Sequence, residues 1–310
     1  MNPVQLDRVV GTMIAQAAGD ALGSQYESGP TLPDEVTPRF GVGVFGHGVG
    51  EWTDDTSMAI PILQILAQGR TLEDEAALDE IVVTWRDWSR DAKDVGAQTR
   101  GILSRLASPT ARDAAALAAR THEASGRSAG NGSLMRTAPV ALGYLHRSPA
   151  ELAAAAGRVA QLTHWEQDNV DACALWCLAI RHAIDTGELD IYAALDMYDP
   201  AARARWLPLI DEALAVASHP RDFAAENGWV VRAFQGALSA VAHARSLPDA
   251  LFRAVRGGND TDTVAAIAGA LAGAVFGASE VPSEWKGMLH GWPGIDADEL
   301  ARLAMRAVGA

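Results

Sequence analysis

Gly257–Ser279 reads GGNDTDTVAAIAGALAGAVFGAS, and from Thr263 onward it carries no charge. Small residues return every four positions, at Ala265, Gly269, Gly273 and Gly277. In a helix that spacing lines one face, and with no bulky side chain there a second backbone can approach closely. The opening stretch MNPVQLDRVVGTMIAQAAGDALG has a similar stripe at Gly11, Ala15, Ala18 and Gly19. The two ends of the chain are therefore expected to meet as a tight central helix pair. Asp262, directly before the apolar run, suits a core helix better than a membrane span, so no transmembrane segment is expected.

Helical periodicity also fills the middle of the sequence. Apolar residues recur at helical spacing in ARDAAALAARTHEA (111–124), ELAAAAGRVAQLTHW (151–165), VDACALWCLAIRHAI (170–184) and WVVRAFQGALSAVAHA (229–244). Strand-like alternation is scarce, and most breaks are Gly, Pro, Asn or Asp clusters that end helices. The expected fold class is all-α. Ser28–Gly50, with three prolines and repeated glycines, is expected to be a long surface loop. Shorter irregular stretches are expected at Ala124–Gly132 and Arg256–Asn259, and variable surface loops within the weakly periodic Asp185–Asn227. No tandem repeat or low-complexity linker divides the chain, so residues 1–310 are read as one domain.

Composition narrows the function. With 49% hydrophobic and 21% charged residues the chain can bury a sizeable core and is not a disordered protein. A net charge of −14 repels phosphate backbones and anionic lipid, which disfavours general nucleic-acid binding. Asp7 and Asp20 in the first stretch break the layout of a secretory signal, and no export is expected. Cys173 and Cys177 sit four apart on one expected helix, a spacing suited to packing rather than to a disulfide. These features fit a reducing cytoplasm. Oligomeric state is not legible.

Two acidic clusters stand out. EWTDDTSMAI places Thr53, Asp54, Asp55 and Thr56 together, and the distant GGNDTDTVAAIAG places Asp260, Thr261, Asp262 and Thr263 together. Each opens a helix-like run. Helix capping explains either cluster alone, because Asp and Thr are favoured at N-caps and in first turns. One cap needs only one such side chain, however, and adjacent acids repel unless something positive neutralises them. If the clusters meet, four carboxylates match two divalent cations. All-oxygen ligands favour Mg2+ or Mn2+ over Zn2+.

Other polar residues carry weaker signals. Asp20, in a small apolar stretch, is expected to hydrogen-bond a nearby backbone or helix end. Glu27 lies just past the first helix, where an acid is either solvated or within reach of a ligand. In RSAGNGSLMRTAPVAL, the residues Ser128, Gly130, Asn131, Gly132 and Ser133 precede a helix-like run, so their backbone N–H groups can cradle a diphosphate. Arg136 suits either a phosphate or a carboxylate network. His164, before another helix, is more often a structural hydrogen-bond partner than a catalyst.

Taken together, GDALGSQYE, WTDDT, GNGSLMR, LTH and GGNDTDTVAAIAGALAGA resemble the ADP-ribosylglycohydrolase family along nearly the whole chain. DVGAQTR (94–100) and NGWVVRAF (227–234) are similar to further family landmarks. The resemblance implies an all-α hydrolase with two Mg2+ or Mn2+ ions in a cleft, acting on an ADP-ribosylated target. It implies Thr53, Asp54, Asp55, Asp260, Asp262 and Thr263 as metal ligands, with Asp55 and Asp262 central to catalysis. It places Glu27 beside the metals in a catalytic role, and Ser128, Gly130, Asn131, Gly132 and His164 against ADP-ribose. Pro61 departs from the pattern and is expected to delay or kink its helix. Ala129 and Trp165 flank the ligand loop and are positioned to tune the target. The atom that carries ADP-ribose stays open, as does hydrolysis of another ribosyl compound or noncatalytic ADP-ribose binding.

Overall fold

The computed structural model describes residues 1–310, in fifteen α-helices. The first half holds α1 (Pro3–Gly23), α2 (Asp54–Ala67), α3 (Glu75–Trp88), α4 (Ala97–Leu103), α5 (Ala111–Ser125), α6 (Ala138–Gly143) and α7 (Pro149–Gln161). The second holds α8 (Gln167–Thr186), α9 (Ile191–Asp196), α10 (Pro200–Leu214), α11 (Val230–Ala242), α12 (Leu247–Arg256), α13 (Thr261–Phe276), α14 (Ser283–Met288) and α15 (Ala297–Ala307). The only sheet is a two-residue antiparallel pair, β1 (His290–Gly291) with β2 (Ile295–Asp296), in which Gly291 faces Ile295. The all-α expectation holds. No helix is long and apolar enough to cross a membrane.

At the centre, α1 and α13 pack along their small-residue stripes. A methyl group built on Gly19 would lie 2.5 Å from the Ala265 carbonyl carbon, and one on Gly269 would lie 2.7 Å from that of Ala15. Gly273 is as close, 2.7 Å from the Thr12 nitrogen. Real Cβ atoms do not sit there, so glycine is what lets the two backbones touch. At the top of the pair the Thr261 hydroxyl donates to the Gly23 carbonyl at 2.9 Å. The end of α1 is thus fixed to the start of α13. Around this axis a cluster of 86 buried residues runs from Val9 to Ala304.

Several local expectations needed correction. Asp185–Asn227 holds loops, as expected, and also two helices not foreseen: Asp190 and Asp199 cap α9 and α10, each accepting from a backbone N–H in the first turn. The weak periodicity there reflects short helices and Pro208 within α10. α5 continues through Ser125 and ends at Gly126 in the left-handed conformation, so the following loop starts later than its sequence suggests. Pro61 lies inside α2, which begins at Asp54 without delay. Ser28–Gly50 has no helix, as expected. Cys173 and Cys177 are buried and unpaired on α8, and burial raises both thiol pKa values.

Arg136 pairs with no carboxylate, and its burial keeps it out of the cleft. It is fully buried, its guanidinium lies 4.1 Å from the centre of the Trp85 ring, and Nη2 donates to Val159 O at 3.3 Å and Thr163 Oγ1 at 2.7 Å. Burial pushes its pKa down to about 9, so it remains a cation at neutral pH.

Candidate active site

The site forms where α1 ends and α2 and α13 begin. Asp20 is fully buried and holds the start of α2 from outside that helix. Its Oδ1 accepts from Thr53 N and Thr53 Oγ1, both at 2.8 Å, and its Oδ2 accepts from Thr56 N at 2.9 Å. Burial raises Asp20 to about 6 against the pull of these bonds. Because Asp20 caps the helix, the acids of its first turn are released from that duty. Thr53, the N-cap residue of α2, makes no side-chain capping bond, and neither does Asp260 at α13. Capping therefore does not account for the two clusters.

The second cluster is shaped by its turn. Gly258 at φ +86° and Asn259 at φ +60° swing the chain from α12 into α13 through two successive left-handed residues. Asn227 buckles this turn: its Oδ1 accepts from Asn259 Nδ2 at 2.8 Å and Asp260 N at 3.2 Å, while its Nδ2 donates to Gly258 O at 3.0 Å. Asp262 follows in the first turn of α13, with Oδ1 accepting from Thr263 N at 2.9 Å.

The carboxylates converge. Glu27, Asp94 and Asp262 each offer an oxygen within 4.8 Å of the others. Asp54 adjoins them, its Oδ2 accepting from Gly96 N at 3.1 Å, and Asp260 accepts from Asn131 Nδ2 at 2.7 Å. Asp55 lies deeper, with Oδ2 3.0 Å from Thr53 Oγ1 and Oδ1 buried without a partner. Glu27 Oε2 is likewise buried and unpartnered. Burial is the first cause that raises the carboxyl pKa throughout, well above the ordinary range at Asp54, Asp55 and Asp262, and less at Asp94 and Asp260. Glu27 rises to about 7 through burial and then through the charges of Asp94 and Asp260. None of these acids pairs with a lysine, arginine or histidine.

Clustered acids without a basic partner, two of them with orphaned buried oxygens, fit divalent cations. The donor set is all oxygen, which suits Mg2+ or Mn2+. Asp94 was not singled out in the sequence. Its only signal was its place at the start of DVGAQTR, because a lone acid in an irregular stretch makes no cluster by itself.

Opposite the acids lies the glycine loop, and a cleft of about 220 Å³ runs between them. Glu27, Asp54, Asp260, Asp262 and Thr263 line one side, and Gly130, Asn131, Gly132 and His164 the other. Asp55 lies beneath its surface, and Thr53 lines an adjoining hollow instead. Ser128 and Ser133 do not face the cleft. Ser128 Oγ bonds His122 Nδ1 at 2.8 Å, and Ser133 Oγ accepts from Asn169 Nδ2 at 2.7 Å, so both support the loop from behind. A side chain on Gly132 would crowd His164, with Cβ 3.1 Å from Cε1, so the loop approaches the imidazole closely.

The orientation of His164 follows from the buried arginine. Arg136 can only donate, so Thr163 Oγ1 accepts from it, and one arrangement of that hydroxyl turns its own proton to His164 Nδ1, 2.7 Å away. Nδ1 is then the acceptor and Nε2 carries the hydrogen. Burial, and next the charge of Arg136, hold the imidazole pKa well below its ordinary value. In that tautomer a neutral N–H donor faces the glycine loop.

The family model described as ADP-ribosylglycohydrolase matches residues 1–310. A relative from Pseudomonas putida (strain GB-1), named ADP-ribosylarginine hydrolase Tri1, is 31% identical over 293 residues, covering 92% of this chain and 75% of its own. The ADP-ribosyl-[dinitrogen reductase] glycohydrolase of Rhodospirillum rubrum is 29% identical, covering 92% and 90%. A solved structure titled ADP-ribosylglycohydrolase-related protein complex superposes with a TM-score of 0.74 at 28% identity, covering 98% of both chains. With acids from both ends of the chain meeting a glycine loop across one cleft, and a family match along its whole length, the chain belongs to the ADP-ribosylglycohydrolases.

Proposed function

We propose that the chain acts as one domain and hydrolyses the glycosidic bond between ADP-ribose and a modified protein side chain, using two Mg2+ or Mn2+ ions. The observation that carries this reading is the facing of an unneutralised carboxylate cluster and a glycine loop across one cleft. Beyond Gly130 and Gly228 the cleft opens into a second hollow of about 590 Å³ that includes Arg127, Arg205 and Trp229. An extended dinucleotide-like ligand suits such a groove. Its adenosine end stacks on Trp229, the diphosphate meets the N–H groups of Gly130 and Gly132 and His164 Nε2–H, and the distal ribose reaches the acids.

Thr53, Asp54, Asp55, Asp260, Asp262 and Thr263 would hold the cations. When bound, they supply Lewis-acid polarisation of the ribose hydroxyls and of a water. Glu27 lines the cleft with Oε2 free of any partner, which leaves it able to exchange a proton with a water there. It takes a proton from the water that attacks the anomeric carbon; the bond to the target atom breaks, and that atom recovers a proton as it leaves. The name of the Pseudomonas putida relative favours an arginine nitrogen as that atom. Unpaired buried cysteines support a reducing, cytoplasmic setting.

The test is a panel of substrates carrying ADP-ribose on arginine, on serine, on a nucleic-acid end and on a small metabolite, assayed with Mg2+ or Mn2+. Release of ADP-ribose from the protein-linked members is expected. Tight ADP-ribose binding without turnover of any member would mark a binding protein instead.

A further inference from the structure

A hollow of about 540 Å³ adjoins the cleft on the side away from the glycine loop, and the two share Asp54 and Asp94 as a common wall. With the distal ribose at those acids, as proposed above, the group attached to it has this hollow beside it. Its lining has two characters. Trp88 and Trp292 form an aromatic wall, with ring centres 6.1 Å apart at 54°. Five carboxylates, those of Glu51, Asp54, Asp87, Asp91 and Asp94, oppose one ammonium, Lys93.

Most of that charge is already committed. Glu51 binds Lys93 at 2.7 Å, and Asp87 lies 3.6 Å from Arg86 and 3.3 Å from Arg90. Asp54 and Asp94 belong to the metal cluster. Asp91 has no ion-pair partner and stands exposed beside the tryptophans, so it is the carboxylate available to a ligand. His47 lines the same hollow at 5% exposure, with Nδ1 buried and unpartnered.

We propose that this hollow is the acceptor subsite, which takes a cationic planar group, an arginine guanidinium of the modified target, against Trp88 and Trp292 with Asp91 as its counter-ion. A guanidinium stacks on indole faces and forks onto a carboxylate, and it is weakly enough hydrated to leave water for such a wall. A serine-linked target offers neither charge nor plane. The subsite therefore discriminates between leaving groups, while the glycine loop and metal acids see only ADP-ribose. This assignment rests on the hydrolase reading above.

The test uses the full chain with Mg2+, comparing wild type with Trp292→Ala and Asp91→Lys. Three readouts are taken: KM for matched peptides carrying ADP-ribose on arginine or on serine, Kd for free ADP-ribose, and thermal unfolding. For the arginine-linked peptide, KM should rise about fivefold or more in each variant. ADP-ribose affinity should stay within about twofold. Unchanged KM in both variants, or a wild type that prefers the serine-linked peptide, overturns the subsite while leaving the hydrolase reading intact. A parallel loss of ADP-ribose affinity with an unchanged melting temperature also overturns it, since the hollow would then hold part of ADP-ribose. A wild type inactive on every substrate removes both.

Discussion

Asn131 Nδ2 donates to Asp260 Oδ2 at 2.7 Å, so a single hydrogen bond ties the glycine loop to the acidic start of α13. The same amide also donates to Asn227 O at 2.9 Å, which holds the turn before α13. Removing such an outer partner of a ligating carboxylate costs about 10–100-fold in metal affinity or activity. Asn131→Ala is expected to lose turnover in that range and to weaken Mn2+ binding, measured by calorimetric titration. Wild-type values for both would show that Asp260 needs no partner.

Asp262 brings an inward-facing carboxylate from the far end of the sequence, among Glu27, Asp94 and Asp55. Asp262→Ala should abolish calorimetric binding of Mn2+ and turnover together, and chelator should do the same to the wild type. Full activity of the variant in chelator would remove cations from the mechanism.

Glu27→Gln keeps the size of the side chain and removes its proton exchange. Free ADP-ribose should bind within about twofold of wild type, while kcat falls by about 10²–10⁴. An unchanged kcat would remove Glu27 from the reaction.

Burial depresses the His164 pKa, so the folded state resists the proton that the unfolded state accepts near 6.5. Its contribution to stability is complete above pH 6.5 and is lost as the pH falls below that value. His164→Gln should therefore lose less stability than wild type between pH 6.5 and about pH 5, measured by denaturant melts. Parallel pH profiles would mean that the imidazole protonates freely in the folded chain.

Gly269→Val should destabilise the chain by at least ~2 kcal/mol, because its Cβ would collide with the Ala15 carbonyl. Gly69, at φ +72° with no atom near its missing Cβ, is the control: Gly69→Ala carries backbone strain alone and should cost less. Thermal unfolding decides between them, and equal shifts would argue against close packing as the cause.

The central pair was legible because packing of this tightness admits only the smallest residues, and Gly11, Gly19, Gly269 and Gly273 advertise it. The acid clusters were legible for a related reason: adjacent carboxylates are costly without a cation. What stayed hidden depends on three-dimensional neighbours. Asp94 stands alone in the sequence and acquires meaning only beside Glu27 and Asp262. The outward role of Ser128 and Ser133 depends on His122 and Asn169, which no local pattern links to them. Arg136 looked like an anion ligand because arginine usually is one; a stack on Trp85, 51 positions away, has no sequence signature.

The contact between Gly23 and Thr261 joins residues made at opposite times during synthesis. A ribosome releases α1 and α2 long before it reaches Asp260 and Asp262, so the early half of the cluster waits, incomplete, for most of translation. On the proposed function, cation capture would then be a late event, confined to chains in which α13 has already docked.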